Sequence, residues 1–351
     1  MFDLAIPADL KVSGKHKAIK YDLNLVEIDE TPWCKNLITG GGLDFLLGAA
    51  SSQAMYFHGV AGAGNASPTL ADTTLQSYLG KYSACQSITV ERNYTTAPYY
   101  VKIATVHRYY PGAFGSSPVN INEFGMIFNT VAGNASITGS TQVASRALSV
   151  NGSGSPASVS VLPDEYLDHH WELTVWIPDS LIGAVSIAID GTPVSHNYEA
   201  RPASMGRPES GSPNPVWFTP TFSQGLEPST VGYCGLSRRP FPAITTGSGG
   251  DGNSSSWLSS GSLGVAEAPI GGTWASNLMA NTIAAAAYSS GTYYRDYTYS
   301  WGLNNGNVSG GVSAAQLSLG CMIWKVSYSP AILKVAGKKL ELTFRLSIAN
   351  L

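Results

Sequence analysis

The chain has 351 residues, only 12% of them charged, with 44% hydrophobic residues and a formal net charge of −3. Soluble domains usually carry about 25% charge, so uncharged polar groups must cover this surface. The apolar content excludes disorder, and the near-neutral balance excludes a nucleic-acid or membrane partner held by charge alone. The longest apolar stretch, Leu181–Ile189, is well short of the ~20 residues of a membrane helix.

The amino-terminal segment lacks the basic-then-apolar order of a signal peptide. Its basic cluster of Lys11, Lys15, His16, Lys17 and Lys20 reads as a solvated arm leading into a strand. In that strand Ile19, Tyr21, Leu23 and Leu25 alternate with Lys20, Asp22 and Asn24, which places one face inward. The spacing of Leu43, Leu46 and Leu47 predicts a helix over Gly42–Ala50, with Asp44 in its first turn. Gly40–Gly42 and Gly59–Gly64 lack the strand-then-helix order of a phosphate cradle, and are expected to be turns. A second helix is expected over Ala71–Leu79, capped by Asp72.

Asn151-Gly152 is expected to form a turn. His169 and His170 sit beside Asp164, Glu165 and Asp168, but neighbouring strand residues face opposite ways, so no metal site is assigned. This stretch reads as a polar turn entering a strand. In that strand Trp171, Leu173, Val175 and Ile177 alternate with Glu172, Thr174 and Trp176. Val185, Ile187 and Ile189 form another, and Asp190-Gly191 predicts a hairpin after it. From Arg201 to Pro228 the chain is rich in proline, which suits an excursion. Between Pro240 and Tyr294 only Asp251 and Glu267 are charged, and the scattered large apolar side chains suggest ordered loops covered by a neighbouring subunit. Ala284–Ala287 could add a helical turn. Leu340, Leu342, Phe344, Leu346 and Ile348 then alternate with Glu341, Thr343, Arg345 and Ser347 in a final strand.

These elements predict an all-β protein, an antiparallel β-sandwich of jelly-roll-like form with one to three short helices and long ordered loops. Residues 1–200 would form the sandwich core and its arm, 201–262 the excursion, and 263–351 strands that complete or pack on the sandwich. Cys34, Cys85, Cys234 and Cys321 follow no zinc spacing, and four cysteines allow three full pairings. No catalytic constellation, cofactor motif or metal set stands out, so no enzyme activity is expected. The candidate contact residues are Tyr293, Tyr294, Tyr297, Tyr299 and Trp301, around Asp296. Aromatic faces with polar neighbours suit a sugar or a protein partner. The same residues could instead line a sheet face or a subunit contact.

Several stretches in order carry a resemblance: NLITGGGLDFLLG (Asn36–Gly48), GVAGAGNASPTLADTTLQSYL (Gly59–Leu79), INEFGMIF (Ile121–Phe128), SRAL (Ser145–Leu148), PASVSVLPDEYLDHHWELTVWIP (Pro156–Pro178) and KKLELTFRLSI (Lys338–Ile348). Together they resemble virion structural proteins of tailed bacteriophages, over roughly Asn36–Pro178 and the last strands. One departure is Trp171, where that family has tyrosine before Glu-Leu. The resemblance implies a β-sandwich adaptor or fibre-attachment component of the tail, baseplate or neck, present in several copies. Its partners would be other virion proteins and itself, with assembly in the host cytoplasm. The alternative is a receptor- or glycan-binding fibre or spike module that meets a host surface glycan.

Overall fold

A computed structural model describes residues 5–48, 54–93, 97–189, 192–203, 207–208, 215–216, 234–236, 257–259, 282–319 and 322–351. In chain order the first elements are β1 (Ala5–Tyr21), β2 (Glu27–Glu30), β3 (Cys34–Ile38) and the helix α1 (Gly40–Leu47). Then come β4 (Met55–Gly62), β5 (Tyr78–Lys81), β6 (Ala84–Asn93), β7 (Tyr99–Tyr109), β8 (Val119–Ile121), β9 (Glu123–Asn129), β10 (Ser145–Leu148) and β11 (Val159–Val161). β12 (Tyr166–Ile177), β13 (Leu181–Ile189), β14 (Thr192–Ala203), β15 (Arg207–Pro208), β16 (Pro215–Val216), β17 (Gly235–Leu236) and β18 (Trp257–Ser259) follow. The last are β19 (Thr282–Ala285), β20 (Tyr294–Trp301), β21 (Val312–Leu319), β22 (Met322–Ile332) and β23 (Leu340–Asn350). The protein is all-β and sandwich-like, with one helix among the described residues.

The strands that alternate most regularly lie where their periodicity puts them. Trp171, Leu173, Val175 and Ile177 are buried, as are Val185 and Ile187, and Leu340 through Ile348 on one face of β23. β13 and β14 pair as a hairpin closing with Ile189 opposite Thr192, and the turn pair Asp190-Gly191 lies outside the described residues.

A 14-stranded sheet contains the path β17-β4-β9-β10-β3-β1-β12-β7-β6. This path rolls until its two ends meet. Cys85 of β6 and Cys234, next to β17, form a disulfide, and the Tyr82 amide donates to the Gly59 carbonyl (3.0 Å). Inside the roll Trp171 packs against Phe57 and Phe128, with ring centroids 5.5 and 5.8 Å away. Closing a sheet on itself removes exposed edges, the sites at which β-proteins aggregate.

β1 belongs to two layers because it is 17 residues long. Its second half, Lys11–Tyr21, pairs antiparallel with β12. Its first half, Ala5–Val12, pairs in parallel with β23 from Thr343 to Asn350, among the described residues the one departure from the expected antiparallel arrangement. β23 continues into β20 and β19. A five-stranded sheet, β13-β14-β22-β21-β18, shares one apolar core with these strands. Trp324 of β22 meets Phe344 of β23, their ring centroids 6.1 Å apart. The carboxyl-terminal strands therefore pair directly with both β1 and β14.

Several local expectations are corrected. The basic cluster is no free arm. It lies within β1, where Lys15, Lys17 and Lys20 pair with Glu172, Glu30 and Glu165 and His16 is buried. The first strand's alternation is of the opposite phase: His16 and Ala18 face inward opposite Trp171 and His169, Ile19 and Tyr21 lie on the outer face beside Asp168 and Arg108, and Leu23 and Leu25 stand in an exposed turn. Ala71–Leu79 is not helical, because Asp72 closes a turn with Thr69 and Leu79 enters β5. Ala284 and Ala285 are in β19 instead of a helical turn. Gly59 and Gly62 lie within β4, where close approach of other strands requires glycine: a Cβ on Gly59 would sit 2.9 Å from that of His107. Gly40–Gly42 open α1, which starts earlier than expected because Thr39 caps it by accepting from the Gly42 amide (3.1 Å). In the turn at Asn151 the left-handed residue is Gly154 (φ 79°), not Asn151 or Gly152. His169 and His170 belong to β12 itself, next to Asp168, which holds Arg108 through two bonds of 2.7 and 2.6 Å.

Cys85 and Cys234 pair, and Cys34 is buried and free, so none of the three full pairings is realised. Cys321 lies outside the described residues, as does most of 201–262 and of the weakly charged segment ending at Tyr294.

Candidate functional site

Gly59–Leu79, Ile121–Phe128 and Ser145–Leu148 meet at Arg146. β10 places this residue beside β9, opposite Gly125, and its side chain is almost fully buried. It donates to Glu123 (2.6 Å), to Asp72 (2.8 Å) and to the Ala66 carbonyl (2.8 Å). Glu123 is wholly buried and also accepts from the amides of Gly64, Gln76 and Ser77. Burial works against the charge on Arg146, but the two carboxylates outweigh it and raise its pKa above the usual value. Burial likewise opposes ionisation of Asp72, but the Thr69 amide and Arg146 hold its pKa below the carboxylate range. A buried charge persists only when it is paired and hydrogen-bonded, and here the pairing pins the loop between Ala63 and Ser77 to the sheet. Thr39 ties α1 to the same region by donating to the Val143 carbonyl (2.7 Å). The Asn-Glu, Ser-Arg-Ala and Leu-Ala-Asp pieces are thus one ionic joint.

The predicted aromatic patch divides between the core and the surface. Tyr297, Tyr299 and Trp301 are fully buried, because β20 is covered on that side and these alternate positions face the core. No sugar or partner can reach them there. Tyr293 packs over the start of α1, where a Cβ on Gly40 would lie 2.6 Å from its hydroxyl. Its φ of 54° is left-handed, a conformation costing about 1–2 kcal/mol for a residue with a side chain. Beside it Tyr288, Ser290 and the Gly291 amide all donate to Asp44, so Asp44 straps a distant loop to the helix and lies beyond the first turn. Tyr294 is exposed, with the Arg345 guanidinium 4.4 Å above its ring. Asp296 holds Arg345 through two 2.8 Å bonds. The stretch is mainly a structural strand.

A different surface stands open. The link after β1 and strand β2 exposes Leu23, Leu25, Val26 and Ile28 at 50–61%, with Trp33 close by at 41%. Asp22, Glu27, Asp29 and Glu30 lie in the same stretch, which contains no lysine or arginine. Asp22 accepts from the Asn24 and Val26 amides (2.8 and 2.9 Å) and sets the turn, so these apolar side chains are presented by a defined backbone. Contiguous exposed apolar groups rimmed by polar ones mark contact sites. The sequence carries a signal for this in the apolar residues bracketed by acids, two of which, Leu23 and Leu25, the alternation assigns to a buried face.

His16, His107 and His169, three of the six histidines, face the interior of the roll, and His58 is buried on the opposite face of β4 from Phe57. His169 lies 5.5 Å from His16 and 6.4 Å from His107 by ring centroid. His107 meets Tyr82 edge-on at 4.8 Å, and Tyr82 bonds to His58 (3.1 Å). Burial lowers the pKa of His16 and His58 to about 4 and of His107 to about 3, and lowers that of His169 well below the usual value. Among the described residues no group of three or more His, Cys, Asp or Glu could hold a metal ion, and no helix is long and apolar enough to cross a membrane. No known family, curated protein or solved structure matches the chain.

Proposed function

We propose that the protein is a tailed-bacteriophage virion structural protein, an adaptor or fibre-attachment component of the tail, baseplate or neck, assembled in several copies. The observation that carries this reading is the exposed apolar hairpin Leu23–Ile28. The order of the resembling motifs, three of which meet at Arg146, supports it as well. A hairpin bearing four acids repels an identical hairpin, which disfavours a two-fold contact between like arms. Its partner is then a different face of the next copy, and such head-to-tail contacts build rings when the rotation between copies closes. A role of this kind requires neither catalytic residues nor a cofactor.

Two measurements test the proposal. Light scattering after size exclusion should give a ring-sized mass for the purified protein, and a Val26→Asp, Ile28→Asp variant should be monomeric with an unchanged melt. Mass spectrometry of intact virions should find the chain. A strictly monomeric protein absent from virions would sink the reading.

A further inference from the structure

The outer face of the roll carries an aromatic groove that is independent of the hairpin. It measures about 460 Å³ and runs across β3, β1, β12 and β7, with the end of β23 at one side. Strand register builds it: Trp176 sits opposite Tyr100, Thr174 opposite Lys102, and Lys15 opposite Glu172. These positions are on the wet side of the alternation, opposite the face that buries Leu173 and Val175, so the packing of the core does not explain an outward tryptophan. The two rings meet at 60° with centroids 5.4 Å apart, forming an aromatic corner. Trp176 donates its indole N–H to Ser13 (2.9 Å), which fixes the ring while leaving its face available. The Tyr100 hydroxyl is held by Glu91.

We propose that this groove binds a neutral oligosaccharide. A sugar ring offers an apolar C–H face to stack on Trp176 and Tyr100, and an amphipathic aromatic is suited to that contact. Around its rim a sugar offers hydroxyls that both donate and accept. The groove supplies both kinds of partner: of its three lysines, Lys15 is held by Glu172 (3.1 Å) and Lys102 by the neighbouring Glu91, while Lys35 and Asn36 line the β3 side. With two of the three lysines held by carboxylates the charge is largely offset, which gives an ionic ligand little advantage, whereas a polyhydroxylated neutral one can bond to either sign. A few placed polar groups around an apolar floor is the usual make-up of a small-ligand site. The inference moves carbohydrate recognition from Tyr293–Trp301 to another surface and does not rest on the assembly reading, since a single copy contains the whole groove.

The full chain would be titrated by calorimetry with cellohexaose, maltohexaose and chitohexaose, and with an acidic oligogalacturonate as the contrast. At least one neutral oligomer should bind at millimolar concentration or below. Trp176→Ala should weaken it about tenfold, as expected for a lost aromatic contact, and Trp176→Phe by less. Tyr294→Ala should leave binding unchanged, and raising salt about tenfold should have little effect. If Trp176→Ala fails to fold, Tyr100→Ala and Lys102→Ala carry the same test. Failure of all three neutral oligomers to bind, full binding by a folded groove variant, or binding of the acidic oligomer alone with loss in salt would each overturn the proposal.

Discussion

Cys85 and Cys234 lie 149 residues apart in sequence, yet their bond joins the two ends of one nine-strand path. The disulfide is the covalent clasp of a sheet otherwise closed by hydrogen bonds. Disulfides persist outside the reducing cytosol, so for a virion component the clasp would be set after release from the cell.

Removing the clasp with Cys85→Ser should lower stability by about 2–5 kcal/mol, because a long loop regains freedom in the unfolded chain. Urea unfolding with and without reductant checks this. The wild type with reductant should match the variant without it.

Arg146→Ala should cost about 3–5 kcal/mol, since it strands the buried Glu123 carboxylate. Arg146→Lys should recover little of this, because a point charge cannot replace a guanidinium fork reaching Glu123, Asp72 and a carbonyl together. Proteolysis should become faster within the loop between Ala63 and Ser77, and mapping the first cleavage site distinguishes this from global unfolding.

The histidine row predicts acid sensitivity with a definite sign. The folded protein keeps His16, His58, His107 and His169 neutral, whereas an unfolded histidine titrates near 6.5. Below that pH the unfolded state binds more protons. Stability is therefore fully present above about pH 6.5 and falls as pH drops toward 4. His16 alone would contribute on the order of 3 kcal/mol to this loss. His169→Phe preserves the ring packed 4.7 Å from Phe124 while removing one titrating group. Its acid midpoint, followed by near-ultraviolet circular dichroism, should move to lower pH, and an unmoved midpoint would remove His169 from the account.

Two glycines should respond in opposite ways to alanine. A Cβ on Gly42 would lie 2.1 Å from the backbone oxygen of Ala144, and a backbone cannot rotate aside as a side chain can. Gly42→Ala should destabilise by roughly 1–3 kcal/mol despite alanine's better helix propensity. Gly152 has nothing within 4 Å of such a Cβ, and Gly152→Ala should be neutral or slightly stabilising. Thermal melts of the two variants decide.

What was legible in the sequence was the part governed by neighbours along the chain. Alternation marked β12, β13 and β23, and leucine spacing marked α1. The first half of β1 carries the same signal, since Ile6, Ala8, Leu10 and Val12 alternate there and are buried, but the basic cluster that begins at Lys11 masks it as a solvated arm. Asp72 resembles a helix cap in isolation, whereas in the fold it closes a turn with Thr69 and meets Arg146, 74 residues away. Tyr297 and Trp301 look like a contact surface until β23 and the second sheet bury them. The outward Trp176 was visible among Glu172 and Thr174 on the polar side of its strand. Its partner Tyr100 could not be placed without the register of β7 against β12.

The parallel pairing of β1 with β23 also sets an order of events during translation. Ala5–Val12 are among the first of these residues to emerge from the ribosome, and Thr343–Asn350 among the last. The opening segment must wait, unpaired along that edge, until nearly all 351 residues have been synthesised. Contacts so distant in sequence form slowly, and a waiting strand with apolar Ile6, Leu10 and Val12 can pair with other nascent chains. Slowing elongation should therefore lower the soluble yield, whereas supplying a chaperone that shields the first strand should restore it.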